Sequence, residues 1–412
     1  LDLCLVEMPN LALENPKMYM PLGNLYLMAM VQVAGWAVEI ADFRDGIGEL
    51  PPARFYGFSC TTPQITEAKV LAKRVNGKTI VGGAHPSLLP NNCAGHFDYV
   101  VCGEGEFVIL DILLENVRPG VIRAPRILCI SGLPHPYWDG VKEPFSRTLY
   151  TGERYGEGDI SMAMIASRGC DGVCSFCGNI YRKPVVFRSP RDIEAEVQEL
   201  AQRGVRHLRF VDDNFTLHPN LKEVCGVLAR NDVVYRCHTR SDLVHLWQAE
   251  LLKKSGCEEC SLGIESADDA VLKINHKMET VEQHRNAVRI LRDAGLRVKA
   301  YWMSGLPGET DSTIDLNIAF MEDTQPEKWT LSTFTPYPGC AVFSHPEHFE
   351  VEIVNKNWQT WWNFVFNVGD KKLPGREGYN HVLKDQTLEE MKARHDRFYK
   401  FLLSEAWKEV RI

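Results

Sequence analysis

The 412-residue chain has no surplus of positive charge. Lys and Arg number 46 against 54 Asp and Glu, a net charge of −8, so nothing in the balance neutralises phosphates and general nucleic-acid binding is excluded. Long apolar runs are also missing. The greasiest stretch, Tyr26 to Ala41, is broken by Gln32 and Glu39 and falls short of the ~20 residues of a membrane span. There is no internal repeat or low-complexity run, and 45% hydrophobic with 24% charged residues excludes a disordered or collagen-like chain. Leu1–Met8 reads as a strand rather than a signal peptide, and the expected location is the cytoplasm. Cysteine is what the chain has in quantity. Thirteen of them, an odd number with no export signal, argue against a disulfide framework and leave metal ligands or buried thiols.

The first part alternates short apolar runs (Leu3–Met8, Ala37–Phe43, Phe55–Ser59, Thr79–Val81, Tyr99–Cys102) with helical patterns at Leu22–Ala34, Pro63–Val75 and Glu106–Leu114. This alternation predicts a doubly wound parallel sheet over residues 1–117. Its strands end in Pro9-Asn10, Ser59-Cys60-Thr61-Thr62, Gly82-Gly83 and Gly103-Glu104-Gly105, where such folds bind ligands. Residues 118–160, rich in Pro, Gly and aromatics, read as a linker.

A second alternation fills 161–339. Strands are expected at Met162–Ser167, His207–Val211, Tyr235–Thr239, Glu259–Ile264, Val298–Met303 and Trp329–Phe334. Ser189-Pro190 supplies an N-cap and first-turn proline for the helix that follows. Six βα units predict a partial barrel with its chemistry at the carboxyl ends of the strands. Residues 340–412 gather Trp358, Trp361, Trp362, Phe364 and Phe366 ahead of a closing helix near Leu388–Val410. This extension is expected to pack as core or to cap the active site.

The strongest local signal is Cys170, Cys174 and Cys177 in SRGCDGVCSFC, directly after the first barrel strand. At this cysteine frequency a CxxxCxxC match arises by chance in about 1% of chains of this length. A CxxC pair such as Cys257 and Cys260 arises in roughly 0.4 places per chain and carries little weight. Three thiolates on one loop suit a 4Fe-4S cluster with one iron left open. Zinc, or three buried thiols, are the alternatives.

With Phe176 before the last cysteine, the loop resembles that of the radical S-adenosylmethionine (SAM) superfamily. VDDNF (Val211–Phe215), HTRSDL (His238–Leu243), SLGIES (Ser261–Ser266) and SGLPGET (Ser304–Thr310) are similar to its cobalamin-binding branch. So are PLGNLYLMAM (Pro21–Met30), GGAHP (Gly82–Pro86) and CGEGE (Cys102–Glu106) in the first part. The resemblance implies a Rossmann-like cobalamin domain followed by a (β/α)6 TIM-like barrel. It implies SAM chelating the open iron, Phe176 beside the adenine, and Asp212, Asp213 and Asn214 near the SAM amino group. Arg240 or Ser266 would hold the SAM carboxylate and Glu265 the ribose, with Gly305 and Pro307 in the same pocket. Arg240 pairing with Asp242, and Asp212 and Asp213 serving as caps or ion pairs, are the structural alternatives.

The cobalamin contacts implied are Pro9, Asn10, Ser59, Cys60, Thr61, Thr62, Gly82, Gly83, His85, Gly103, Glu104, Gly105 and Glu106. No D-x-H-x-x-G loop follows the first strand, which implies a cobalt face without a histidine ligand; His85 is a polar contact rather than that ligand. The activity implied is C-methylation of an unactivated carbon. The alternatives are ring contraction, cyclisation or oxidation with cobalamin as electron carrier, or a corrinoid- and cluster-binding protein without catalysis. A flavodoxin or ferredoxin would supply electrons, the substrate would be a small molecule or peptide, and the chain is expected to be a monomer.

Overall fold

A computed structural model describes residues 1–9, 20–140, 146–147, 160–361 and 379–404. Asn10, Trp362, Phe364 and Phe366 lie outside the described residues. The chain divides into two units, Leu1–Ala163 with Asn357–Trp362, and Met164–Lys356 with Asn363–Ile412.

In the first unit β1 (Leu3–Glu7), β2 (Val38–Asp42), β3 (Phe55–Ser59), β4 (Lys78–Gly82), β5 (Tyr99–Cys102) and β6 (Gly120–Arg123) form one sheet. The order is β2-β1-β3-β4-β5-β6 with every neighbour parallel. Side chains alternate across it, as the two-residue period of a strand requires. Leu3 and Leu5 pack with Val31, Val108 and Ile112 on one face, and Cys4 and Val6 with Ile65, Ala68 and Leu71 on the other. Chain direction across the sheet switches between β1 and β3, and this is where a doubly wound sheet opens a crevice for a ligand. β6 falls within the stretch expected to be linker. Its four residues sit on the sheet edge and are mostly exposed, so they carry no apolar pattern to read.

The second sheet follows the order β15-β14-β13-β12-β11-β8-β7, a curled half-barrel. Its strands are β7 (Ser146–Arg147), β8 (Ile160–Met164), β11 (His207–Phe210), β12 (Val234–Thr239), β13 (Cys257–Glu265), β14 (Arg297–Ser304) and β15 (Lys328–Thr333). Between β8 and β11 lies a short antiparallel ribbon, β9 (Ser167–Arg168) and β10 (Val186–Phe187). The helix Pro190–Gln202 starts as the sequence indicates, with Ser189 Oγ accepting from Asp192 N at 3.2 Å. Burial alternates strictly along β14. Val298, Ala300 and Trp302 face the helices, where Trp302 meets Phe320 and Phe398 edge-on at 5.6 and 5.2 Å; Lys299, Tyr301 and Met303 face the other way.

The C-terminal extension supplies the hairpin β16 (Val351–Ile353) and β17 (His381–Leu383) and the helix Leu388–Ser404. Ser304 Oγ, at the end of β14, lies 2.8 Å from Tyr379 Oη and 2.7 Å from His395 Nδ1. Trp358 and Trp361 belong to the first unit. Trp361 is fully buried there, and Trp358 meets the His85 ring edge-on at 5.5 Å. For these two tryptophans, the packing role is the one realised.

Burial sets a pH dependence. It pushes His85, His238, His381 and His395 down to about 4 and His284 to about 3. The unfolded chain protonates these imidazoles below about 6.5, so each contributes stability that grows as pH rises from 4 to 6.5. Burial pushes Glu7 and Glu309 up to about 7 and Asp212 to about 6; their contribution falls over the same range. The imidazoles are more numerous, so the melting temperature is expected to rise between pH 4.5 and 6.5. A scanning-calorimetry profile that is flat or falls there would contradict this.

Candidate functional site

The cysteine loop hangs between β9 and β10 and is braced from within. Arg182 donates to the carbonyls of Gly172 at 2.8 Å, Cys174 at 3.3 Å and Cys177 at 2.7 Å. Ser175 N donates to Asn275 O at 2.9 Å. One guanidinium thus gathers the carbonyls of the loop and leaves its thiols free to converge elsewhere. Cys174 is buried, and Cys170 and Cys177 are half-buried. Burial pushes the Cys170 and Cys177 thiols up, so metal binding here expels protons.

Gly172 tests what this loop fits, because a Cβ there would sit 3.3 Å from Cys170 Sγ and 3.2 Å from Arg240 Nη1. The glycine keeps clear the space the sulfurs surround. Gly172→Ala is therefore expected to lower iron incorporation several-fold with an unchanged circular dichroism spectrum; full iron content in the variant would remove this role.

Beside the loop stands a charged cluster at the carboxyl ends of β12 and β13. Arg240 forks onto Asp242, both contacts at 3.0 Å, donates to Lys277 O at 3.1 Å, and places Nη1 3.9 Å from Cys174 Sγ. The pairing alternative for Arg240 is thus the observed one. Lys277 Nζ lies 2.9 Å from Glu279 Oε2 and 3.9 Å from Glu265 Oε1. Burial opposes the Lys277 charge, but Glu265 and Glu279 outweigh it and hold its pKa up. Burial pushes Glu265 up against the pull of Lys277. Glu279 Oε1 accepts from Ser241 N at 2.6 Å and Asp242 N at 3.2 Å.

Sequence reasoning missed Lys277 and Glu279, which carry no motif. Their signal is in the backbone. His276, Met278 and Glu265 all have positive φ, at 48°, 56° and 63°, and such strain in non-glycine residues gathers at functional sites.

The Asp212-Asp213-Asn214 run divides by role. Asp212 is buried and accepts from Ala166 N at 3.0 Å and Ser167 Oγ at 2.5 Å, fastening the start of the cysteine loop. Asp213 is exposed and accepts from Asn179 Nδ2 at 2.8 Å. Asn214 Oδ1 accepts from Thr239 Oγ1 at 3.0 Å, while its Nδ2 is buried with no hydrogen-bond partner. A buried donor without an acceptor asks for a ligand.

Ser266 is buried and its Oγ accepts from Asp268 N at 3.2 Å. Gly305 (φ 82°) is occupied by packing, because a Cβ there would strike the Tyr379 ring at 2.4 Å. Pro307 O accepts from Asn275 Nδ2 at 2.9 Å. Phe176 packs half-buried against the cluster of Val271, Leu306 and Phe334.

In the first unit Pro9, Ser59, Cys60, Thr61, Thr62, Gly82, Gly83, His85, Gly103, Glu104, Gly105 and Glu106 all lie at the carboxyl ends of β1, β3, β4 and β5. Several are committed internally. His85 is buried between Thr62 Oγ1 at 3.3 Å and Asn92 Oδ1 at 3.1 Å, so neither imidazole nitrogen points outward. Gly83 (φ 100°) lets two loops touch, since a Cβ would lie 2.8 Å from Cys60 O. Glu104 pairs with Arg126 at 2.5 Å. Gln64, absent from the sequence reading, donates to Met8 O and Pro9 O at 3.2 and 3.1 Å and accepts from Thr61. A Cβ at Gly82 would meet nothing nearer than 4.0 Å. Ser59, Gly82 and Gly105 stay half-exposed and Thr61 exposed, a rim open to a large flat ligand.

The Radical SAM superfamily profile matches residues 164–321, and the B12 binding domain profile matches residues 16–113. The chain is similar to the bacteriochlorophyllide d C-12(1)-methyltransferase of Chlorobaculum tepidum, 23% identical over 92% of this chain and 84% of that protein. It is also similar to the anaerobic magnesium-protoporphyrin IX monomethyl ester cyclase of Rubrivivax gelatinosus, 29% identical over 73% of this chain and 59% of that one. Among solved structures, the radical SAM methyltransferase TsrM of Kitasatospora setae superposes with a TM-score of 0.62 at 15% identity, covering 84% of this chain and 78% of that one. A cysteine loop at the first strand end of a half-barrel and the two matched profiles lead to one conclusion: the chain carries a radical SAM domain over 164–321 and, ahead of it, a B12 binding domain over 16–113.

Proposed function

We propose that this chain is a cobalamin-dependent radical SAM C-methyltransferase, with the cobalamin domain over 1–117, to whose sheet β6 adds an edge strand, a linker from there to 160, the barrel over 161–339 and an extension beyond. The carrying observation is the cysteine loop beside the Arg240–Lys277–Glu265 cluster, with Arg240 Nη1 3.9 Å from Cys174 Sγ. When bound, the cluster, SAM and cobalamin supply the electron, the 5′-deoxyadenosyl radical and the methyl group. The chain holds and orients them. Cys170, Cys174 and Cys177 ligate the cluster, and Arg182 fixes their loop. Asn214 Nδ2 would donate to a SAM oxygen, Glu265 would accept from the ribose hydroxyls, and Lys277 favours the charged form of that carboxylate and aims it. Phe176 covers the adenine. Ser59, Thr61 and the glycine rim receive the corrinoid. Hydrogen-atom abstraction needs no general base, so no acid–base pair is required of the site.

The substrate class is a small molecule, and the enzyme works in the cytoplasm as a monomer with a flavodoxin- or ferredoxin-type donor. Among the described residues no helix is long and apolar enough to cross a membrane. An anaerobic assay with reductant and substrate tests the reading: comparable yields of 5′-deoxyadenosine and S-adenosylhomocysteine are expected. Deoxyadenosine alone favours a second reading, cyclisation or oxidation without methyl transfer, which the similarity to a cyclase supports. Neither product, with cofactors loaded, would sink both.

A further inference from the structure

The face of the half-barrel away from the helices is charged at its amino-terminal end. In register across it lie His238, Ser261, Lys299 and Lys328, with Arg236 opposite Glu259 in the adjoining row. Glu259 is already engaged, 2.8 Å from Lys328 Nζ and 3.8 Å from Arg236 Nη1. Lys299 has no carboxylate within 4.0 Å among the described residues, although its strand neighbours Val298 and Ala300 are fully buried and it is itself half-buried. Its Nζ sits 5.1 Å from the centre of the Tyr301 ring. Tyr301 Oη lies 3.2 Å from His238 Nε2, and His238 Nδ1 lies 3.3 Å from Phe210 O. These contacts assign a neutral imidazole that donates from Nδ1 and accepts the phenol proton. Burial pushes the Lys299 amine down to about 8, with Arg236 and Arg209 adding to it against Glu259; at neutral pH it is still mostly an ammonium. A half-desolvated cation without an anion is a site for one.

We propose that Lys299, positioned by Tyr301 and His238, anchors a carboxylate of the substrate on the face of the half-barrel away from the helices. A carboxylate is favoured over a phosphate because Lys328 and Arg236, the neighbouring cations, are drawn to Glu259 and leave Lys299 as the charge on offer. The strand sets the spacing. Lys299 stands three residues before Trp302, the register partner of Glu265, which is about 10 Å along β14. The substrate is thus an acid, its carboxylate held on β14 upstream of the residue that pairs with Glu265. This inference rests on the proposed function for the identity of the reacting end.

The test uses reconstituted holoenzyme carrying 13Cε-lysine, with Lys299→Arg, or Lys299→Gln should the first not fold, to assign the Lys299 resonance. Benzoate is expected to raise the Lys299 titration midpoint by about one pH unit, and the neutral isostere benzamide to leave it in place. A midpoint unmoved by benzoate, or moved equally by both, overturns the anchoring role. Loss of both SAM-derived products from the unmodified enzyme would instead overturn the functional reading while leaving the benzoate result intact.

Discussion

Cys174→Ala is expected to reduce 5′-deoxyadenosine formation to background, a loss well beyond the ~100-fold that disturbing a ligand's support alone produces, together with most of the protein's iron. Cys174 is the ligand with the most at stake. It is the buried member of the three, it has Arg240 Nη1 at 3.9 Å, and its charge also acts on Lys277. Two cations are thus arranged for a thiolate at this position. The measurements are iron and sulfide content, the visible absorption of the cluster and single-turnover deoxyadenosine. A variant that retained the cluster spectrum and the product would show that Cys174 is not a ligand, whatever the spacing implies.

The second large effect is on stability as well as activity. Lys277→Met removes the cation between Glu279, wholly buried, and Glu265, and leaves Glu279 the longer Arg240 Nη2 contact at 3.6 Å as its remaining ion pair among the described residues. Breaking a buried pair from one side costs about 3–5 kcal/mol, a fall of roughly 10 °C in melting temperature for a unit of this size. SAM binding should weaken with it, because Glu265 loses the cation that favours its charged form. The double variant Lys277→Met with Glu279→Gln should recover part of the melting temperature, since removing both partners strands neither. If the double variant melts no higher than the single one, the ion pair is not what Lys277 contributes.

Most of the scaffold was legible because each element carries a local pattern. The strands at Phe55–Ser59 and Tyr99–Cys102 were bounded by turn residues and came out residue for residue. The helix Pro190–Gln202 likewise starts where Ser189-Pro190 indicates. Cysteine spacing located the loop because its ligands are adjacent in sequence. What remained hidden depends on the fold bringing distant residues together. Lys277 and Glu279 meet Arg240 and Glu265 only when the loop after the short helix Asp269–Ile274 turns through two left-handed residues. The glycines were legible as glycines but not by purpose. Gly83 and Gly305 serve close packing, whereas Gly172 opens space among the thiols. Sequence alone did not decide between pairing and ligand binding for Arg240, and the Asp242 fork shows how much of its capacity is already taken.

The six residues Asn357–Trp362 belong to the first unit although the chain before and after them belongs to the second. A gene cut after residue 163 would therefore not yield an intact N-terminal module. Its apolar layer around Cys4, Val6 and Phe58, against which Trp358 packs, would be left with an unfilled socket. Supplying the missing residues 357–362 as a separate peptide offers a direct way to ask whether that socket can be refilled, and it makes exchange of the cobalamin module between relatives a matter of moving two pieces of chain rather than one.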